Sequence, residues 1–142
     1  MFLLFISIFA SLAFISQTQA ATGSLNQYEW TQLEGDSSYT RFSAGPAPST
    51  SNVLWKANIT GVQPYLSAFN GKIYVCSTST AYALDQEGKI VWQTDFPEET
   101  TWPVAYKIDS THMVIENYCF NPENGALLWT SPDFNAYTGI FN

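Results

Sequence analysis

The sequence contains few basic residues. Five lysines and arginines stand against twelve acidic residues, which gives a formal net charge of −7. The five cations are scattered singly along the chain, at Arg41, Lys56, Lys72, Lys89 and Lys107. A nucleic-acid backbone must be neutralised by clustered Lys and Arg, and anionic lipid attracts similar clusters. The composition therefore argues against nucleic acid and against an anionic membrane surface as partners.

Residue types that carry metal or nucleophilic chemistry are also scarce. The chain has one histidine and two cysteines, with no Cys-x-x-Cys, Gly-x-Ser-x-Gly or phosphate-loop pattern. The single His112 fits a solvated strand end better than a metal site, which needs several ligands. Asp95, Glu98 and Glu99 form an acidic connector without a calcium-loop pattern. We predict no catalytic residue, no metal ligand and no cofactor.

The first twenty residues differ from the rest of the chain. "FLLFISIFASLAFIS" is an apolar run of signal-peptide length, and small residues around Ala20 and Ala21 suit a peptidase. No Lys or Arg precedes the run, so an uncleaved membrane anchor is the alternative. A signal peptide over residues 1–20 predicts an exported protein, secreted or at the cell surface, with membrane contact only through this segment.

Three tryptophans recur at a constant interval. Trp55, Trp92 and Trp129 are each separated by 37 residues, in the contexts "NVLWK", "KIVWQ" and "ALLWT". The preceding stretch "YALDQEGKIVW" matches "YCFNPENGALLW" with one inserted residue. The chain therefore contains an internal repeat, which has to be recognised before the fold is predicted.

Each repeat unit reads as four short strands. β-Branched and aromatic residues alternate with turn signals, including Asn70-Gly71, a strong indicator of a two-residue hairpin. The predicted strands are Tyr65 to Phe69, Lys72 to Ser77, Thr80 to Leu84, Ile90 to Thr94, Val104 to Lys107, His112 to Glu116, Asn117 to Phe120 and Ala126 to Thr130. Four antiparallel strands every 37 residues is the period of a β-propeller blade.

The repeated residues have structural explanations. A tryptophan at one place in the last strand would fill the same seam between successive sheets. Asp85 and Asn121 begin equivalent turns, and their short side chains can accept hydrogen bonds from backbone amides two residues on. Asp85 with Glu87 also resembles a pair of carboxylates for acid–base catalysis, but an asparagine at the equivalent turn favours capping.

The repeat resembles the pyrroloquinoline quinone (PQQ)-like β-propeller motif Ala-x-Asp-x-x-Thr-Gly-x-x-x-Trp. The first copy is one residue short and lacks the Thr, and the second has Asn124 there. The matching positions are Ala83, Asp85, Gly88 and Trp92, then Cys119, Asn121, Gly125 and Trp129. The lead-in resembles the Trp-x-x-x-x-Gly-Asp opening of secreted members of this family, at Trp30, Gly35, Asp36, Thr40 and Ser43.

This resemblance implies an all-β fold, a β-propeller of four-stranded blades that is incomplete. We expect an extended lead-in over residues 21–51 and about two and a half blades over residues 52–142. The strand around Trp55 would be the last strand of a blade, but the first three strands of that blade do not precede it in the sequence. An N-terminal fragment of a longer protein explains this, with assembly from several copies or a small sandwich as alternatives.

Two cysteines and one glycosylation sequon would be open to modification if the protein is exported. Cys76 and Cys119 could form a disulfide in an oxidising compartment. Cys119, however, stands at the repeat position where the other copy has the small residue Ala83, so packing alone also explains a cysteine there. Asn58-Ile59-Thr60 is a glycosylation sequon if the host modifies exported proteins.

The functional expectation follows from the resemblance. It implies an exported, non-catalytic propeller that acts as a binding or scaffold module for a protein or carbohydrate ligand. The alternatives are the N-terminal part of a PQQ-dependent dehydrogenase, with PQQ and calcium as cofactors, and a scaffold similar to the propeller of outer-membrane protein assembly. Propellers support many unrelated activities, so the fold alone does not choose among them.

Overall fold

The protein folds into two antiparallel β-sheets. The computed structural model describes residues 28–43 and 45–132, and the predicted signal peptide lies outside them. Sheet 1 has the order β1-β2-β3-β4 and sheet 2 the order β5-β6-β7-β8. The strands are β1 (Leu66–Phe69), β2 (Lys72–Cys76), β3 (Thr80–Leu84), β4 (Ile90–Asp95), β5 (Ala105–Lys107), β6 (Met113–Ile115), β7 (Tyr118–Phe120) and β8 (Leu127–Thr130). Within these ranges the fold is all-β, as predicted.

The eight predicted strands are confirmed, each end within one residue of its predicted position. Asn70 and Gly71 form the predicted two-residue turn, with φ angles of 49° and 71° and Phe69 paired to Lys72. Positive φ at both central residues is the geometry that matches the twist of a hairpin. The two sheets also share an irregularity in register between their third and fourth strands, after Ala83 and after Cys119.

The main core lies between the sheets. Alternation along each strand directs one set of side chains from sheet 1 and one set from sheet 2 into the same cluster. Its members are Phe69, Tyr74, Cys76, Ala81, Ala83, Trp92, Phe96, Ala105, Met113, Ile115, Tyr118 and Phe120. Within it Phe96 stacks on Tyr118, with ring centroids 5.6 Å apart. Hydrophobic burial between stacked sheets therefore stabilises the fold.

A smaller cluster lies on the other side of sheet 2. It consists of Val104, Tyr106, Val114 and Cys119, and the partly buried Leu33 and Tyr65 pack against it. These strand residues alternate with those that face sheet 1. Both faces of sheet 2 are thus apolar, one towards sheet 1 and the other towards Leu33 and Tyr65.

The lead-in segment binds the free edges of both first strands. Trp30 and Ala68 exchange two backbone hydrogen bonds of 2.7 Å, and the amide of Lys107 donates to the carbonyl of Thr31 at 2.8 Å. The ammonium of Lys107 also forms a 2.5 Å ion pair with Glu29. Because unpaired strand edges are reactive towards other chains, this segment protects β1 and β5 while joining the two sheets.

The segment around Trp55 differs from the prediction. It was expected to form a strand, but its residues pair with no strand of sheet 1 or sheet 2 and have no strand conformation. A strand needs a partner backbone for its hydrogen bonds. The segment instead faces the outer side of sheet 1 with its side chains. There Trp55, Ile59 and Val62 face Val75 and Leu84 across a cavity of about 370 Å³.

In the described ranges no helix is long and apolar enough to cross a membrane.

Candidate functional site

The repeated tryptophans pack against the repeated glycines. A Cβ atom built on Gly125 would lie 2.5 Å from Cε3 of Trp92, and one on Gly88 would lie 2.5 Å from Cε3 of Trp55. Both glycines have positive φ, +71° and +79°. Only a residue without a side chain allows the indole ring so close to the backbone. Trp55 and Trp92 therefore each lie on the turn glycine of the unit that follows them.

The contact between the sheets also satisfies the polar groups it buries. The indole Nε1 of Trp92 donates to the carbonyl of Pro122 at 3.0 Å, and the hydroxyl of Tyr74 donates to the same oxygen at 3.2 Å. The hydroxyl of Thr94 donates to the carbonyl of Gly125 at 2.7 Å. Burial raises the pKa of the Tyr74 hydroxyl well above its usual range. These residues hold the sheets together as a hydrogen-bonded apolar seam.

Asp85 and Asn121 cap the equivalent turns, as predicted. The Asp85 carboxylate accepts from the amides of Glu87 at 3.0 Å and Lys89 at 2.8 Å. The Asn121 side-chain oxygen accepts from the amide of Glu123 at 2.8 Å. Both side chains are engaged with backbone donors, which is a structural use.

The remaining repeat positions are equivalent in register. Ala83 lies opposite Trp92, and Cys119 lies opposite Trp129. Ala83 and Cys119 are both fully buried, which confirms Cys119 in the small-residue place of the repeat. The motif residues therefore build seams and turns.

The disulfide between Cys76 and Cys119 is not formed in the structure, where both cysteines are free thiols. The physical reason is their orientation: Cys76 belongs to the core between the sheets, whereas Cys119 belongs to the cluster on the other side of sheet 2. Burial raises the pKa of the Cys76 thiol to about 12 and also raises that of Cys119.

The other candidate polar residues, His112, Asp95, Glu98 and Glu99, form no common site in the part of the chain that the structure describes. His112 is paired with Asp109 at 2.9 Å beside the turn before β6. Asp95 is the last residue of β4 and does not belong to the connector. Its carboxylate accepts a hydrogen bond from the hydroxyl of Thr80 at 2.8 Å. Glu98 and Glu99 are exposed. Among the described residues, no group of three or more His, Cys, Asp or Glu side chains is arranged to hold a metal ion. The sequon residue Asn58 is exposed.

A cleft lies where the lead-in meets the start of β1. It has a volume of about 430 Å³ and is lined by Trp30, Leu33, Glu34, Arg41, Pro64, Tyr65 and Leu66. This volume is within the range of small-molecule sites, which are mostly apolar with a few polar groups. We treat this cleft, called the lead-in cleft below, as the candidate binding site.

A tight turn forms one wall of the lead-in cleft. The amide of Thr31 donates to the carbonyl of Gly35 at 2.9 Å, and the amide of Gly35 donates to Gln32 at 3.1 Å. Gly35 has a φ of +100°, and a Cβ there would lie 3.3 Å from the Trp30 ring. The absence of a side chain at Gly35 thus lets the turn close onto the indole.

Asp36 orders the rest of this loop. Its carboxylate accepts from the amide of Ser38 at 2.8 Å and from the hydroxyl of Thr40 at 2.5 Å. The hydrogen bond from the Thr40 side chain is the main reason why the pKa of Asp36 lies below its ordinary value.

Arg41 and Glu34 are joined twice at the rim of the cleft. The backbone amide of Arg41 donates to the carbonyl of Glu34 at 3.0 Å, and the side chains of these two residues form an ion pair. The rim of the cleft therefore carries both charges side by side.

Aromatic surface continues beyond the lead-in cleft. The ring of Tyr65 lies 5.6 Å from that of Trp102, with the planes tilted by 36°. Trp102 is 47% exposed, and its backbone amide donates to the carboxylate of Glu116 at 2.5 Å. The neighbouring amide of Thr101 donates to the same oxygen at 2.8 Å. Glu116 thus positions the segment that presents Trp102.

Sequence reasoning did not single out the lead-in cleft. Glu34, Tyr39 and Arg41 have positive φ angles of 61°, 53° and 54°, which are uncommon for residues other than glycine and are not visible in composition. A partial signal was present, because Asp36 followed two residues later by Ser38 is a pattern for a side-chain-capped turn.

No protein-family model, no curated protein and no solved structure shows significant similarity to this chain.

Proposed function

We propose that this chain is an exported, non-catalytic β-propeller repeat protein that acts as a binding module. The lead-in cleft is the observation that carries the binding function. It combines an apolar lining with the Glu34–Arg41 ion pair. The exposed ring of Trp102 lies next to the cleft, 5.6 Å from that of Tyr65. Apolar walls with a few placed polar groups are the usual composition of a ligand site.

The propeller part of the proposal is supported by the recurring seam. Trp55 on Gly88 and Trp92 on Gly125 make the same contact in successive units. In both, a Cβ added to the glycine would lie 2.5 Å from Cε3 of the indole. A tryptophan contact that recurs from one unit to the next in the same direction is expected of blades stacked around an axis. Under this proposal the chain supplies part of a ring, and the repeat resembles that of PQQ-like propellers.

A panel of ligands tests the binding function on the full chain. The panel holds neutral hexasaccharides, an acidic oligogalacturonide, unfolded carboxymethylated casein, and PQQ with calcium chloride. Binding is followed by calorimetry and tryptophan fluorescence, with a cleft variant, Leu33→Glu, in parallel. Leu33 packs against the cluster of Val114 and Cys119, so circular dichroism must first show that the variant folds.

The outcomes separate the two classes of function. Saturable binding of any of the first three ligands, weakened by Leu33→Glu, supports a binding module. If none of them binds, the proposal is wrong. Saturable binding of PQQ with calcium, accompanied by reduction of a redox dye when an alcohol is added, would instead support the quinoprotein alternative.

A further inference from the structure

The lead-in cleft is lined by aromatic, aliphatic and charged side chains. An extended peptide usually adds to a sheet through main-chain hydrogen bonds at a strand edge. At Ala68 the edge of β1 is already occupied, because Trp30 and Ala68 exchange both of their backbone hydrogen bonds. At this position a ligand therefore has ring faces and rim side chains to contact instead of an open strand edge.

The charges at the rim suit a neutral ligand. Arg41 is 72% exposed and Glu34 30% exposed, and the two side chains form an ion pair. The pair carries donors and acceptors but little net charge, and the whole chain is acidic at −7. Long-range repulsion therefore disfavours polyanions. An arginine fork beside a carboxylate can both donate to and accept from neighbouring hydroxyl groups.

The aromatic surface suits a ring with one apolar face. Tyr65 lines the lead-in cleft, and Trp102 extends its surface at a tilt of 36°. Aromatic side chains supply rigid apolar area with a polar edge, which is the combination that a pyranose ring presents in return. The two rings pack against each other and together form one aromatic patch beside the cleft.

We infer that the lead-in cleft binds a short segment of neutral oligosaccharide, with sugar rings on Tyr65 and Trp102 and hydroxyl groups at the Glu34–Arg41 pair. This inference rests on the proposed binding function and specifies its ligand. A protein ligand is the competing outcome of the test.

The test uses the full chain with cellohexaose, xylohexaose and chitohexaose as probes, titrated by calorimetry. Tyr65→Ala should weaken binding about tenfold, which corresponds to about 1.4 kcal/mol, while Tyr65→Phe keeps the ring and should stay within about twofold. Arg41→Gln should also weaken binding about tenfold through loss of the charged donor. The matched control is Tyr82→Ala, a half-buried tyrosine of β3 that does not line the cleft.

Each result decides the inference separately from the proposed function. Binding of at least one hexasaccharide supports it if binding is weakened about tenfold in Tyr65→Ala but kept in Tyr65→Phe and Tyr82→Ala. Because Tyr65 packs against the smaller cluster, circular dichroism must first show that Tyr65→Ala folds. Absence of binding by the folded wild type, or equal binding by Tyr65→Ala, overturns it. Cleft-dependent binding of carboxymethylated casein alone overturns the saccharide inference while leaving the binding module in place.

Discussion

Replacing Gly125 by alanine adds a methyl group at the contact between the two sheets. The new Cβ would lie 2.5 Å from Cε3 of Trp92 and 2.8 Å from the hydroxyl of Thr94. The φ of +71° is also left-handed, which costs alanine about 1–2 kcal/mol. Overpacking a closely packed site costs roughly 1–3 kcal/mol more. Gly125→Ala should therefore lower the free energy of unfolding by about 2–5 kcal/mol.

A second glycine separates these two contributions. Gly61 has nearly the same φ, +72°, but its nearest neighbour would be Cβ of Ser77 at 3.9 Å, an ordinary contact. Gly61→Ala should thus cost only the backbone part, about 1–2 kcal/mol. Urea unfolding of the full chain, followed by circular dichroism and tryptophan fluorescence, measures both variants. Equal losses for the two variants would refute the close contact between Trp92 and Gly125.

Three further predictions concern the turns, the thiols and acid stability. Asp85→Ala should lower the free energy of unfolding by about 1 kcal/mol because two capped amides lose their acceptor, while Asp85→Asn should be close to neutral in a urea titration. The buried Cys76 thiol, whose pKa is raised to about 12, should resist Ellman's reagent in the native protein and react on unfolding; rapid native labelling would contradict its burial. The backbone amide of Thr111 and the His112 ring hold the pKa of Asp109 below its ordinary value, so its stabilisation is present above about pH 3.9 and is lost as the pH falls further. Melting temperatures of wild type and Asp109→Asn should then converge in acid, and a constant gap would contradict this.

The strands were predictable because their signals are local. Asn70-Gly71 specifies a turn with two positive φ angles, and alternation of apolar residues specifies which side of each strand is buried. The equivalence of Ala83 with Cys119 was visible in the repeat and is confirmed by their pairing with Trp92 and Trp129. Repetition helped, because the same local pattern was present twice.

The lead-in cleft was not predictable because it depends on contacts distant in sequence. Trp30 reaches β1 at Ala68, and Thr31 reaches β5 at Lys107, and neither pairing has a local signature. The same reason explains the wrong expectation of a strand at Trp55: its sequence suits a strand, but strand formation depends on a partner backbone. Its side-chain contact with Gly88 nevertheless follows the repeat.

The most direct test of the account is a double-mutant cycle at the contact between Trp55 and Gly88, with Trp55→Ala, Gly88→Ala and both together. If the ring of Trp55 lies on Gly88, the alanine at 88 should be much less costly once the ring is removed. We predict a coupling of about 1–3 kcal/mol in urea unfolding, leaving for Gly88→Ala only the backbone cost seen in Gly61→Ala. Additive losses, within about 0.5 kcal/mol, would contradict the claim that Trp55 packs on the turn glycine of the following unit.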